Sequence, residues 1–399
     1  MDIIVSDGSH AKTHLLIQSE QCHPAEHMLV EKLKASLALL GTIAINTTQE
    51  QHMTLESLRK KNIDYLLVLN VYPNSILAKM YSPWSVALQT EFHDWPVLFE
   101  KSFSFQNIEQ MYKIANQLVD DLMFHIFYQP GFASYPLFYV EHKNTYNIVT
   151  SDLQGDLKKV LHTTDHPIIS MACSADATKI AFVELTPQGS ALVVIDRKTK
   201  NKKTIVNQYY VSSPVFSEDG QTIYYIAAPY GTTHIYRHDL SLDQPERLTS
   251  AQDWIVDLSP GIEPYTLLIT ADRTAASQLY EFNVLNKRFK RITFTKDNCS
   301  KGVMSSRQKV MLYTITDENQ TILVSKEMTQ PQEDVLRTVS KNYAESATFS
   351  PTAGLIAFER TVLGKRQIVL KDLKSGYEHL LSAHTEVLCP CWAAMPGFD

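Results

Sequence analysis

Two histidines, His23 and His27, stand four residues apart at the start of a predicted helix, a spacing that places two imidazoles on one helix face as metal ligands. No third ligand is evident in the sequence, so a surface pair is favoured over a metal site. Cys389 and Cys391 are separated by one proline, which is too close for a relaxed disulfide, and they lack the matching His or Cys pair of a zinc site. The sequence therefore predicts no metal and no cofactor.

The motifs of the common reactive centres are absent from the sequence. A serine hydrolase of the α/β type needs a Gly-x-Ser-x-Gly turn, and the chain contains no such pentapeptide. No glycine-rich loop of the Walker or Rossmann type occurs either, in a chain with 13 glycines. We therefore expect a protein that is not an enzyme.

Composition narrows the class of protein further. The 399 residues are 44% hydrophobic and 20% charged, which is ordinary for a soluble globular chain that holds two domains. A net charge of −6 argues against sequence-independent binding to nucleic acid or to an anionic bilayer. No apolar run approaches the roughly 20 residues of a membrane span, and residues 1–5 lack the basic and apolar regions of a leader peptide.

The five cysteines are odd in number and scattered, which does not indicate a disulfide framework. Cys173 and Cys391 fall in or beside the apolar positions of predicted strands, so packing is their expected role.

A sequence motif that repeats along the last two thirds of the chain indicates the architecture of this part of the protein. It consists of a small or apolar residue, an aromatic or apolar residue, a serine-led turn and an apolar strand. The clearest copies are 214–224 and 347–358. The serine recurs at positions 174, 217, 259, 305 and 350, with Ala393 in register, in steps of 43, 42, 46, 45 and 43 residues. A period of roughly 40–50 residues with strand-like content is typical of a β-propeller with one repeat per blade.

The register of the repeats predicts how the ring closes. The first three strands, expected at 137–140, 146–151 and 157–161, have no inner strand before them, and the inner strand at 387–392 has no triplet after it. Joining the two incomplete sets makes one blade and removes two exposed sheet edges. We therefore predict six blades of four strands over residues 131–399, closed by the last inner strand.

Residues 1–130 follow a different pattern, which predicts an α/β domain of two layers. Strands are expected at 15–17, 43–45, 63–71, 75–89 and 96–105. Helices are expected from Pro24 towards a stop at Gly41, at 55–60, and at 108–127, where apolar residues follow a 3.6-residue period.

The chain resembles the TolB family in three features: this α/β domain, six copies of the propeller motif and the ending Val387-Leu388-Cys389-Pro390-Cys391-Trp392. The resemblance covers the whole chain, and residues 3–8 look like the family's mature N-terminal segment. It implies a non-enzymatic periplasmic protein of the Tol-Pal system, although the chain shows no leader peptide. It also implies support of outer-membrane integrity and cell division. A monomer is expected.

The resemblance implies two protein partners. The peptidoglycan-associated lipoprotein Pal would bind at one mouth of the propeller, through residues that come just before each inner strand. The matching positions are His166, Tyr209, Tyr210, Ser213, Trp254, Lys301, Glu345 and Thr385. Tyr210 and Trp254 depart from the commoner family residues, but aromatic side chains suit an interface.

The inner-membrane protein TolA would bind the N-terminal segment by strand addition. That segment comprises Asp2, Ile3, Ile4, Val5, Ser6, Asp7 and Gly8. The alternatives are that these residues form the first strand of the α/β domain or a disordered end. For the propeller itself, the alternative function is a channel that binds or processes a small ligand or peptide.

Overall fold

The structure is a computed structural model that describes residues 12–19, 24–50, 53–86, 90, 92–250, 254–305, 307, 309–317, 320–328, 336–341, 343–352, 354–381 and 385–393. Its strands and helices form a five-stranded sheet with helices, followed by six four-stranded sheets arranged as a propeller. Both parts of the predicted fold are confirmed.

The first sheet has the strand order β2-β1-β3-β4-β5. Its strands are β1 Thr13–Ser19, β2 Ile43–Thr48, β3 Tyr65–Tyr72, β4 Ser75–Tyr81 and β5 Phe99–Ser104, and its helices are α1 Pro24–Ala38, α2 Leu55–Lys60 and α3 Ile108–Phe127. β1 pairs in parallel with β2 and β3, while β3, β4 and β5 pair antiparallel.

The core of this domain follows from the alternation of side chains along its strands. Leu15 and Ile17 of β1 point to the face covered by α1 and α3, while Leu16 points to the face covered by α2. Helix α3 begins at Asn107, whose side-chain oxygen accepts a hydrogen bond from the backbone N–H of Gln110 at 2.9 Å. The helix ends where Tyr128 takes a left-handed conformation with φ 53°.

Two of the predicted strands are shorter in the structure. The strand expected at 75–89 ends at Tyr81, because Pro83 begins a 3₁₀ turn over Pro83–Ser85 and supplies no backbone N–H to a sheet ladder. The strand expected at 96–105 spans only Phe99–Ser104. The boundary predicted between residues 130 and 131 falls in the segment that follows α3.

The propeller begins with three strands, β6 Leu137–His142, β7 Tyr146–Ser151 and β8 Lys159–Thr164. The last of these was expected at 157–161, and it lies two to three residues further along.

Five complete blades follow, each listed from its inner strand outwards. The first blade comprises β9 Ile168–Cys173, β10 Lys179–Thr186, β11 Gly189–Asp196 and β12 Lys202–Tyr209, and the second comprises β13 Val211–Phe216, β14 Thr222–Ala227, β15 His234–Asp239 and β16 Gln244–Arg247. The third comprises β17 Ile255–Pro260, β18 Thr266–Ala271, β19 Gln278–Asn283 and β20 Arg288–Arg291, and the fourth comprises β21 Asn298–Ser305, β22 Val310–Thr316, β23 Thr321–Glu327 and β24 Leu336–Ser340. The fifth comprises β25 Ala344–Phe349, β26 Leu355–Val362, β27 Lys365–Asp372 and β28 Glu378–Leu380.

The sixth blade is shared between distant parts of the chain. Its inner strand is β29 Glu386–Trp392, which pairs antiparallel with β6, with Glu386 opposite His142 and Trp392 opposite Leu137. The predicted closure of the ring is therefore confirmed.

In three blades the repeat serine, which is Ser174, Ser217 or Ser350, accepts a backbone N–H in the turn that follows the inner strand. In the second blade the Ser217 hydroxyl donates to Asp219 Oδ1 at 2.6 Å and accepts from the N–H of Thr222 at 3.0 Å. Gly220 supplies the positive φ of 64° that this turn requires. The same serine-to-aspartate bond joins Ser174 and Asp176 in the first blade.

The α/β domain packs against the fifth and sixth blades. One apolar cluster runs from Leu33 and Leu118 of its helices to Leu370 and Trp392 of the propeller. Gly41 approaches the turn between β27 and β28 so closely that an added Cβ would lie 2.6 Å from Ser375 Oγ. Because successive strands of a blade run antiparallel, this turn lies at the end of the propeller opposite to the start of the inner strands.

Candidate functional site

The wall of the central channel is formed by the six inner strands. In each blade, the pairing of the inner strand with the next strand shifts register at one point. The irregularities lie at residues 168–170, 212–215, 255–257, 300–303, 345–348 and 388–391. A bulge of this kind re-aims one side chain and sharpens the local twist. The propeller thus carries a belt of displaced side chains around its channel, which we call the bulge belt.

Four residues of the bulge belt adopt a left-handed backbone that residues other than glycine rarely take. They are Ser213, Lys301, Ser346 and Cys389, with φ between 48° and 54°. Each precedes a repeat position (217, 305, 350 or 393) by four residues. Such a backbone costs roughly 1–2 kcal/mol per residue, so the surrounding blades must impose it.

Polar groups of the bulge belt are bonded to one another or to the adjacent strand β26. The Ser213 hydroxyl donates to Asp257 Oδ1 at 2.6 Å, and the backbone N–H of Cys389 donates to Glu359 Oε1 at 2.8 Å. The nearby carboxylate of Asp257, followed by those of Glu345 and Glu359, raises the pKa of Lys301 and keeps it a cation. Burial raises the pKa of Glu359.

Beneath the bulge belt lies a cavity of about 1320 Å³. It extends from Ser213 and Lys301 to the turns that carry Asp219 and Tyr265, at the end of the propeller opposite to the start of the inner strands. Within the described ranges, no group of three or more His, Cys, Asp and Glu side chains is arranged to hold a metal ion.

The mouth at the start of the inner strands carries exposed aromatic side chains. Tyr210, Trp254 and Tyr343 each come directly before an inner strand (β13, β17 and β25), and they are 48%, 53% and 62% exposed. Large aromatic groups held on the ends of sheets offer a wide contact area at little entropic cost. We call these three residues the mouth aromatics.

Tyr343 was not among the residues predicted for this mouth. The signal for it is present in the sequence, because Tyr343 precedes Ser350 by seven residues, as Tyr210 precedes Ser217. The prediction took Glu345 instead, which is the second residue of β25.

Five of the eight predicted mouth residues lie at the mouth. Tyr210 and Trp254 are two of the mouth aromatics. The partly buried His166 lies between β8 and β9, where its backbone N–H donates to Thr164 Oγ1 at 3.1 Å. Tyr209 ends β12, and burial raises the pKa of its hydroxyl. Thr385 precedes β29 and donates through Oγ1 to Glu141 Oε1 at 3.1 Å.

The other three predicted residues, Ser213, Lys301 and Glu345, lie within inner strands and not before them. The prediction of their position was wrong because the inner strands continue to pair on the mouth side of their bulges. They belong to the channel wall, where all three are part of the bulge belt.

Two further predicted features concern the α/β domain. His27 is exposed on α1, whereas His23 lies outside the described residues. The N-terminal segment Asp2–Gly8 also lies outside the described residues. Among the described helices, none is both long and apolar enough to cross a membrane.

These features define a two-domain β-propeller protein that presents aromatic side chains at one mouth of its channel. The chain belongs to the TolB β-propeller family, because the model of the TolB beta propeller domain matches residues 130–396.

The chain is similar to curated proteins from Francisella tularensis. It is 26% identical over 266 residues to the Tol-Pal system protein TolB of subspecies mediasiatica strain FSC147, an alignment that covers 63% of this chain and 59% of the relative. It is also 26% identical to the same protein of subspecies tularensis strain SCHU S4, an alignment that covers 63% of this chain and 58% of the relative. The chain thus matches less than two thirds of the length of these relatives.

Among solved structures, TolB from Acinetobacter baumannii superposes with a TM-score of 0.83 at 17% identity, covering 96% of this chain and 97% of that chain. A chain of a nidogen/laminin complex superposes with a TM-score of 0.52 at 11% identity, covering 65% of this chain and 98% of that chain. At these identities the likeness is one of fold.

Proposed function

We propose that this protein is a non-enzymatic component of a Tol-Pal system in the periplasm. In this role it binds the lipoprotein Pal at the mouth of its propeller and supports outer-membrane integrity and cell division. Membership of the TolB family and the name of the curated relatives support the system, and the mouth aromatics support the site of binding.

The observation that carries this proposal is the position of Tyr210, Trp254 and Tyr343 at one end of three inner strands. Interface energy concentrates in a few large side chains, among which Trp and Tyr are enriched. Each mouth aromatic makes a backbone hydrogen bond to a neighbouring segment of the propeller, which fixes its main chain before a partner arrives and lowers the entropic cost of association.

TolA is proposed to bind the segment Asp2–Gly8 by strand addition, in which main-chain hydrogen bonds supply the affinity. The α/β domain contacts the fifth and sixth blades at the end opposite to the mouth aromatics. Pal at the mouth would therefore leave this domain free for a second partner.

The alternative of a channel that binds a small ligand or peptide has less support. The cavity is large, but polar groups of its wall, such as Ser213 and Asp257, are already bonded to each other. A ligand would have to replace these bonds, and a lost hydrogen bond to a charged group costs about 1.5–3 kcal/mol.

Binding of Pal to the variant Y210A/W254A tests the proposal. We expect an affinity at least about tenfold lower than that of the wild type, because truncating a hot-spot residue costs about 2 kcal/mol or more. Isothermal titration calorimetry with purified Pal measures the effect.

The matched control is Tyr265→Ala, which removes a tyrosine that is 64% exposed at the opposite end of the propeller. This variant should bind Pal like the wild type. Unchanged affinity in Y210A/W254A, or an equal loss in the control, would place the Pal site away from this mouth.

A further inference from the structure

The thiol groups of Cys173 on β9 and Cys391 on β29 face each other where the first blade meets the sixth. Their Sγ atoms lie 2.7 Å apart, and the backbone N–H of Cys173 donates to Cys391 Sγ at 3.0 Å. The Cys173 thiol also donates to the carbonyl oxygen of Trp392 at 3.2 Å. An S–S bond of about 2.05 Å requires only a small further approach of the two sulfur atoms.

Both thiols are partly buried and line the channel cavity, which gives a small oxidant a route to them. Each lies on an inner strand that its own blade holds in place through a ladder of backbone hydrogen bonds. The two sulfur atoms are therefore held together by the framework of the ring and not by a flexible loop.

The other cysteines of the described chain are less suited to pairing. Cys299 is buried on β21 and contacts Thr295 Oγ1 at 3.2 Å. Cys389 is two residues from Cys391, which is too close for a relaxed disulfide between them, and its backbone N–H is bonded to Glu359 Oε1 at 2.8 Å.

We propose that Cys173 and Cys391 form a disulfide bond that joins the first and sixth blades when the protein meets a disulfide oxidant. The thiolate of one cysteine attacks the donor disulfide and expels one donor thiolate, which leaves a mixed disulfide. The thiolate of the other cysteine then attacks the protein sulfur and expels the second donor thiolate. Two cysteine thiols are oxidised, the donor is reduced to two thiols, and the protons of the cysteines pass to the donor.

The protonation of the Cys173 thiol controls the rate at which the disulfide forms. The hydrogen bond with Cys391, followed by burial, raises the pKa of Cys173 well above its ordinary value, so its thiol is protonated at neutral pH. Because the thiolate is the attacking species, formation of the bond should accelerate as the pH rises. The bond would enclose a loop whose ends are 218 residues apart, at the junction where β29 completes the ring.

The test uses the full reduced chain, incubated under native conditions with oxidised glutathione at pH 7 and pH 9. Remaining thiols are trapped with N-ethylmaleimide in denaturant, and the tryptic peptides are analysed by mass spectrometry. We expect residues 160–179 to be linked to residues 375–399, with faster linkage at pH 9. Fragmentation at the Cys389–Pro390 bond should place the link on Cys391.

The variant C389S is the matched control. It is needed because trypsin leaves Cys389 and Cys391 in one peptide, so the mass of the linked peptides alone does not tell which of the two is bonded. The link should persist in C389S and disappear in C173S. The proposal is overturned if both thiols of the wild type are still trapped by N-ethylmaleimide, if the link involves Cys389, or if glutathione stays on one cysteine as a stable adduct. The wild type and C389S decide the matter even if C173S does not fold.

Discussion

Lys32 of α1 and Asp152, which follows β7 in the sixth blade, form an ion pair that is buried on both sides. The Lys32 ammonium also donates to Asp156 Oδ2 at 2.6 Å, and Asp152 Oδ1 accepts the backbone N–H of Asp156 at 2.8 Å. These contacts join the α/β domain to the propeller at the end opposite to the mouth aromatics.

Replacing Lys32 with methionine should destabilise the protein strongly. The substitution keeps much of the aliphatic chain but leaves the carboxylate of Asp152 buried without its cation, and breaking such a pair costs about 3–5 kcal/mol. Urea denaturation of the variant and the wild type measures the difference in free energy of unfolding.

The control for this variant is Lys34→Met, since Lys34 is a partly exposed residue of the same helix that pairs with the exposed Glu31 at 2.7 Å. Exposed pairs contribute about 0–1 kcal/mol, so this change should be small. A loss below about 1 kcal/mol for K32M would show that the buried pair does not hold the two domains together.

Glu386 is the residue through which we expect acid to weaken the closure of the ring. It begins β29 and accepts hydrogen bonds from His142 of β6 at 3.0 Å and from Arg366 of β27 at 3.1 Å. Burial alone would raise the pKa of Glu386, but these bonds outweigh it and lower the pKa below its ordinary value of 4.5.

A group with a lowered pKa stabilises the folded state above its unfolded pKa and loses that contribution as the pH falls through the folded value. We therefore expect Glu386→Gln to be less stable than the wild type at pH 6, by about 1–2 kcal/mol. The difference should shrink as the pH falls below 4.5. Urea denaturation between pH 6 and pH 3 measures it, with the exposed Glu56→Gln as control. A difference that is constant across this range would contradict the assignment.

Tyr343→Ala tests the mouth residue that the sequence prediction missed. If the mouth aromatics act together, this change should weaken binding of Pal by about tenfold, since it removes a side chain that is 62% exposed at the mouth. Calorimetry with purified Pal measures the loss. Leu285→Ala, which truncates a side chain in the turn between β19 and β20 at the opposite end, should leave the affinity unchanged.

Removal of residues 2–8 tests the proposed contact with TolA. We expect binding of TolA to be lost while binding of Pal stays at the wild-type level, because the deletion leaves the mouth aromatics unchanged. Pull-down of the shortened chain with each partner separates the two effects. Retention of TolA binding would exclude strand addition by this segment, whereas loss of both activities would point to damage to the fold.

The sequence predicts the propeller well because the residues that set its period act locally. Ser217, Asp219 and Gly220 build their turn from side-chain and backbone bonds within a few residues, so the same serine-to-aspartate chemistry can be read again at Ser174 and Asp176. The apolar period of α3 is equally local, and its predicted bounds are those of the structure.

The bulge belt and the pairing of cysteines were beyond sequence reasoning for a physical reason. Nothing in the type of Lys301 or Cys389 favours a left-handed backbone, which the packing of neighbouring blades imposes. Cys173 and Cys391 meet only because the ring closes, so their spacing along the chain carries no signal. Lys32 is similarly a single charged residue on a helix until the propeller supplies Asp152.

The sharing of the sixth blade has a consequence for biosynthesis. His142 of β6 bonds to Glu386 of β29, 244 residues later, so β6 keeps a bare hydrogen-bonding edge until almost the whole propeller has been translated. An unpaired edge is a template for pairing with other chains. The nascent chain therefore carries this exposed edge while the other five blades are synthesised, and a factor that shields β6 during that interval would improve the yield of folded protein.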